Sequence, residues 1–161
     1  QEGSQILYGK KIYHLRQFHF HTPGEHTVNG NHFPMEIHLV HESDDKSLAV
    51  IGVLVREGKY NNNFEQLIRH LPNAPGEKIT KDSVNIDVAM NVPKELYAWH
   101  YTGSLTTPPC KENVQWLVLR NPISMSKEQI AAFSSRMKNN NRPTQPVNER
   151  KPVIDDIVGK N

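Results

Sequence analysis

The chain has little of several things that would assign it quickly. One cysteine, Cys110, among 161 residues leaves no internal disulfide framework and no thiolate zinc knuckle. No apolar run approaches the roughly 20 residues of a membrane-spanning helix, and the opening residues carry no secretory signal pattern. Charge of one sign is also missing: 19 basic against 17 acidic side chains give a formal net charge of +2. That balance does not advertise a nucleic-acid surface. Glycines number only 9 against 11 prolines, which implies many fixed turns, and no internal repeat occurs. Transmembrane-helical, collagenous, disordered and zinc-finger readings are excluded. Residues 1–161 read as one domain with one core, and residues 154–161 as a loose tail. Nine histidines are what the sequence does have.

Strand signals dominate the first half. Over residues 11–21 period-two geometry puts Ile12, His14, Arg16, Phe18 and Phe20 on one face. Tyr13, Leu15, Gln17, His19 and His21 take the other. A second strand over 35–41 sets Glu36, His38 and Val40 opposite Met35, Ile37, Leu39 and His41. A third, 48–55, is almost continuously apolar and expected to be buried on both faces. A fourth covers about 114–119. Phe64, Leu67, Ile68 and Leu71 recur at helical spacing after a candidate cap at Asn63. Ser126 with Gln129 resembles a capping box, opening a helix to about Met137 with Ile130, Phe133 and Met137 buried. The asparagine runs 61–63 and 139–141 read as loops. Strands outnumber helices, so the expected plan is mainly β (α+β): a central twisted, mostly antiparallel sheet with a few short peripheral helices.

His19-Phe20-His21 carries the chemistry. Residues two apart on a strand point the same way, so both imidazoles can reach one metal ion. A third imidazole from a neighbouring strand would leave a fourth position open, the arrangement of a catalytic zinc. His38 is the best candidate. Gln17 and Glu36, each two residues before a ligand on the same face, can accept the free ring N–H and fix its tautomer. Spacing alone leaves structural histidines as an open alternative, and His14, His32, His41, His70 and His100 are read that way. A second informative segment is Gly103-Ser104-Leu105-Thr106-Thr107-Pro108-Pro109, where two prolines fix a loop that carries adjacent hydroxyls.

Together with Glu25-His26, Glu36-Ile37-His38-Leu39-Val40-His41 and Asn141-Arg142-Pro143-Thr144-Gln145-Pro146, these segments resemble the alpha-class carbonic anhydrases of bacterial type. The resemblance implies zinc held by His19, His21 and His38, with Gln17 and Glu36 behind them. It implies reversible hydration of carbon dioxide to bicarbonate and a proton by zinc-bound hydroxide. Thr106 would accept a hydrogen bond from that hydroxide and donate one to Glu25. The Thr106 N–H and the Thr107 hydroxyl would lie beside the substrate, against an apolar wall of Val40, Val50, Leu105 and Trp116. Inorganic anions and sulfonamides are the expected inhibitors.

By the same resemblance an N-terminal part of the family domain is expected to be missing, since only 18 residues precede His19. With it would go several sheet strands, the proton-shuttle histidine and a partner cysteine for Cys110. His14 is expected to face away from the metal, so the shuttle is unassigned. Slower turnover, a homodimer or domain-swapped assembly through an open sheet edge, and a periplasmic or secreted location complete these expectations. Two other readings stand beside them. One is a non-catalytic binding module or poorly active fragment of the same family. The other is a cupin-type metal enzyme, which fits His19, His21 and Glu25 but lacks its second motif and leaves the Thr106-Thr107-Pro108-Pro109 loop unexplained.

Overall fold

Apolar and β-branched residues recur in the segments that pair, and among the described residues they build a seven-stranded sheet. The computed structural model describes residues 4–74, 77, 79, 92, 93 and 96–156. The strands are β1 (Gln5–Tyr8), β2 (Lys11–His21), β5 (Met35–Glu42), β6 (Leu48–Glu57), β7 (Tyr97–Ser104), β8 (Glu112–Met125) and β9 (Val153–Asp156). A separate two-stranded ribbon, β3 (Thr27–Val28) and β4 (Asn31–His32), forms between β2 and β5. The order in the large sheet is β1-β2-β5-β6-β8-β7-β9, parallel only between β6 and β8. Among the described residues two short helices accompany it, α1 (Glu65–Arg69) after a 3-10 turn at Asn62–Phe64, and α2 (Lys127–Ser134). The expected mainly β plan holds. Among the described residues no helix is long and apolar enough to cross a membrane.

The sheet has two unlike faces. One buries Met35, Ile37, Leu39, Val53, Leu117 and Leu119, covered by Phe64 and by Phe133 of α2. Each such side chain contributes roughly 1.5–3 kcal/mol by leaving water. The Tyr8 hydroxyl is hydrogen-bonded to His100 Nε2 at 2.7 Å, so β1 reaches β7 across this face and the sheet is strongly curled. The other face holds a smaller apolar group, Val40, Val50, Leu54, Val114, Trp116 and Val118. The metal-ligand candidates lie beside that group.

Several sequence-based boundaries need correction. In β2 a bulge at Arg16 interrupts the alternation, because Leu15 pairs with His41 while Gln17 pairs with Val40. Leu15 therefore packs with Phe18 and Phe20 on the main core, not with the histidines. The same slip sets His14 opposite Glu42, on the face of β5 that carries His38, so His14 does not face away from the metal side. β8 runs well past Leu119, and Pro122 is tolerated where its register against β6 shifts between Leu119 and Ile123. Gly103 and Ser104 belong to β7, and the fixed loop starts at Leu105. The cap before Phe64 is Asn61, whose side chain accepts the Asn63 N–H, and the helix is split into a 3-10 turn and one α turn. α2 has its capping box but stops at Ser134, short of Met137. Ile154 to Asp156 pair with β7 instead of trailing loose. The rest of the expected tail lies outside the described residues.

Candidate metal centre

β2 and β5 run antiparallel with His19 opposite His38, and His21 follows two residues along the same face. The register brings the three imidazoles together, with ring centroids 5.0, 5.2 and 4.6 Å apart. One nitrogen from each ring lies within 4.8 Å of the other two. His21 and His38 are buried and His19 is half-buried.

Each ring has one nitrogen committed and one left over. His19 Nδ1 donates to Gln17 Oε1 at 2.8 Å, and His38 Nε2 donates to Glu36 Oε1 at 2.9 Å. Both expected supports are therefore in position. His21 Nδ1 donates to the main-chain carbonyl of Asn140 at 3.1 Å. The remaining nitrogens are His19 Nε2, His21 Nε2 and His38 Nδ1, and His21 Nε2 is buried with no hydrogen-bond partner among the described residues. Burial, together with the charge that His38 and His21 would add, lowers the pKa of His19 to about 4. Burial and His38 lower His21 as well. A buried, unpartnered nitrogen on a ring whose pKa burial lowers is a poor hydrogen-bonding site and offers a good lone pair to a divalent cation. The residues fit zinc.

Glu36 is fully buried and serves two histidines. Its Oε1 also receives His26 Nδ1 at 2.5 Å, and its Oε2 accepts the His26 backbone N–H at 2.8 Å. Burial alone would raise its pKa, but His26 and His38 outweigh that and hold it well below the ordinary carboxylate range. Burial opposes protonation of His26 too, yet the Glu36 charge and hydrogen bond, with the Glu25 charge, raise it overall. His26 Nε2 is bonded to the Tyr101 hydroxyl at 2.7 Å, so both of its nitrogens are spent. His26, Glu36 and His38 also cluster within 4.8 Å, but through atoms already bonded to one another. That group is a brace. Gly52, opposite His38 on β6, makes room for it: a Cβ there would meet Glu36 Oε1 at 3.0 Å.

Glu25 stands beside the trio, with its Oε2 3.9 Å from His38 Nδ1. Its Oε1 accepts the Arg142 backbone N–H at 2.7 Å, while its Oε2 is buried without a partner among the described residues. Thr106 and Glu25 line the same cleft of about 750 Å³, with His26, Tyr101 and Arg142. The structure brings Thr106 and Glu25 to one cleft without joining them by a hydrogen bond. Thr107 is exposed, and its carbonyl accepts the Cys110 N–H in a turn. Val40, Val50 and Trp116 are buried in the smaller apolar group with Leu105 packed against them, and the Trp116 ring lies 4.8 Å from that of His38. Sequence reasoning missed the roles of His26, Tyr101 and Asn140. Glu25-His26 was legible as a motif, but a main-chain acceptor such as Asn140 leaves no signal in residue types.

A mixed β-sheet that brings three imidazoles together beside an acidic residue presents the donor set of a histidine-ligated metal site. Comparison with known proteins then identifies the family. The sequence profile of eukaryotic-type carbonic anhydrases matches residues 2–154. A carbonic anhydrase of Nostoc sp. is 41% identical over 150 residues, 93% of this chain and 57% of the relative. One from Klebsiella pneumoniae is 42% identical over 84% of this chain and 55% of its own. The solved alpha-carbonic anhydrase of Thermovibrio ammonificans, in complex with the inhibitor sulfanilamide, superposes with a TM-score of 0.85 at 45% identity. That superposition covers 88% of this chain and 63% of the other. The chain belongs to the carbonic anhydrase family, and it spans a little over half the length of these curated relatives.

Proposed function

We propose that this chain catalyses the reversible hydration of carbon dioxide to bicarbonate and a proton, with zinc held by His19, His21 and His38. The observation that carries the proposal is the convergence of the three imidazoles, with His21 Nε2 buried and unpartnered among the described residues. Bound there, zinc supplies the Lewis acidity that makes water acidic enough to react near neutral pH.

The chain's own residues orient and enclose. With Oε1 committed to Arg142, Glu25 has Oε2 left to accept the Thr106 hydroxyl proton. The Thr106 oxygen then faces the reacting species as an acceptor only, which selects an oxygen that still carries hydrogen. The Thr106 N–H and the Thr107 hydroxyl are the donors proposed for substrate and bicarbonate. Val40, Val50, Leu105 and Trp116 offer apolar surface to a gas that cannot hydrogen-bond strongly. The sulfanilamide complex of the Thermovibrio ammonificans relative supports inhibition by sulfonamides, and small anions should compete at the same position. Self-association and a periplasmic or extracellular location belong to the same proposal.

The test is zinc content measured together with carbon dioxide hydration by stopped flow. Stoichiometric zinc with sulfonamide-sensitive hydration is expected, and stoichiometric zinc without hydration would leave a metal-binding module. Because no proton shuttle is assigned, turnover should rise with buffer concentration. A slow rate that concentrated buffer does not rescue would contradict that expectation.

A further inference from the structure

Two of the three ligand histidines are fixed by side chains on their own strands. His21 is different, because its acceptor is a main-chain carbonyl 119 residues away, on the loop after α2. A carbonyl is present at every residue, so something must hold this one in place.

The same residue does so. The Asn140 carboxamide accepts the Thr22 N–H through Oδ1 at 2.9 Å and donates from Nδ2 to the Phe20 carbonyl at 2.9 Å. Phe20 and Thr22 flank His21, so Asn140 holds the peptide groups on both sides of the ligand while its own carbonyl takes the ring N–H. Only a planar group with an acceptor and a donor can do this: aspartate would set an oxygen against the Phe20 carbonyl, and alanine offers nothing. Neighbouring bonds pin the loop as a whole. The Thr22 hydroxyl donates to the Met137 carbonyl at 2.9 Å and the Asn139 N–H donates to the Thr22 carbonyl at 2.9 Å. From behind, Phe133 of α2 packs on Phe20 with ring centroids 4.7 Å apart.

We infer that the Asn140 side-chain amide is a positioning group for His21, setting which ring nitrogen is free and where it points. This rests on the metal-binding reading above, and it gives the α2 loop a part in retaining the metal. The amide touches neither metal nor substrate.

Asn140→Ala tests this, since it removes the amide and keeps the backbone carbonyl. Ser126→Ala, which breaks the capping box at the opposite end of α2, controls for general loss of stability. The first readout is zinc release to a chelator, which should be about tenfold faster in Asn140→Ala than in the unaltered chain. Ser126→Ala should release at the unaltered rate. Visible spectra of the cobalt-substituted proteins should shift for Asn140→Ala alone. The second readout needs no metal. In the zinc-free protein the His21 Nδ1–H resonance should resist solvent exchange in the unaltered chain and in Ser126→Ala, and be lost in Asn140→Ala.

Release within twofold of the unaltered chain, equal acceleration in Ser126→Ala, or a protected Nδ1–H surviving in Asn140→Ala would overturn the inference. If Asn140→Ala does not fold, Asn140→Asp, which keeps the acceptor for Thr22, should show intermediate release, and unchanged release would overturn it. An unaltered chain that binds no zinc overturns the proposed function instead, while the proton-exchange comparison still judges Asn140.

Discussion

A trio of histidines and the single His26 meet at Glu36 through His38, yet they do opposite things. His19, His21 and His38 each spend one nitrogen on an oxygen acceptor and have no hydrogen bond at the other among the described residues. His26 spends both, one on Glu36 and one on Tyr101. The environments differ accordingly: burial and mutual repulsion push His19 and His21 toward neutrality, while carboxylates pull His26 toward the charged form. A candidate metal centre is therefore marked by unspent ring lone pairs, and the number of histidines nearby says much less. His26 braces Glu36 and has both ring nitrogens engaged in hydrogen bonds.

The largest effect should come from breaking the trio. His38→Ala removes a ligand and leaves Glu36 with His26 as its only ring partner. Zinc content should fall from stoichiometric to trace and hydration to background, read by elemental analysis and stopped flow. Full zinc loading in that variant would end the comparison, because the metal would then sit elsewhere.

His26→Ala should separate the two groups. It leaves the buried Glu36 carboxylate without one of its partners, which costs about 3 kcal/mol of folding stability. For a chain of this size that lowers the melting temperature by roughly 10 °C. Stoichiometric zinc should nonetheless remain in the fraction that stays folded. Loss of zinc with an unchanged melting temperature would make His26 a ligand and erase the distinction.

Gln17→Ala sharpens the comparison from the other side. The His19 ring keeps its place on β2 but loses the acceptor that fixes its tautomer. Zinc affinity should drop about tenfold with little change in melting temperature, since the Gln17 side is exposed. A competition titration with a chelator reads it. Unchanged affinity would mean that packing alone orients the ring.

Much of this was legible in the sequence, for a physical reason. Residues 11–21 show strand alternation, and two histidines two apart on a strand must share a face, so the juxtaposed pair and its hydrogen-bonded Gln17 followed directly. Glu36 and His38 followed the same rule on β5. What failed was whatever depends on an interruption or on a distant backbone. The bulge at Arg16 inverts the alternation below it, and nothing in Leu15-Arg16-Gln17 announces an extra residue. β7, with Tyr97, Trp99, His100 and Tyr101, mixes aromatics with polar residues and gives no clean period, although it carries the brace partner Tyr101. The Asn140 carbonyl reaches His21 only because the sheet and α2 deliver it there.

The smallest effect is a pH dependence, and its direction distinguishes the two groups. In the unfolded chain His19 takes up a proton near its ordinary value of 6.5, but in the folded metal-free protein only near 4. Between those values the unfolded state holds more protons, so acid favours unfolding, and stability is lost as pH falls from about 6.5 toward 4. His21 and His41, both lowered by burial, act in the same direction. Because His19 is only half-buried, solvent screening reduces its share to about 1 kcal/mol. The brace behaves otherwise. A raised His26 contributes below 6.5 and loses that contribution only above its folded value, while a lowered Glu36 contributes above 4.5 and loses it only below its depressed one. From 4.5 to 6.5 their pair is intact. Urea titrations at pH 7.5 and 5 should show the metal-free protein losing stability on acidification, with the deficit of His26→Ala no smaller at pH 5. Equal stability of the unaltered metal-free chain at both values would mean that burial does not lower His19 and His21, and the contrast with His26 would lose its electrostatic basis.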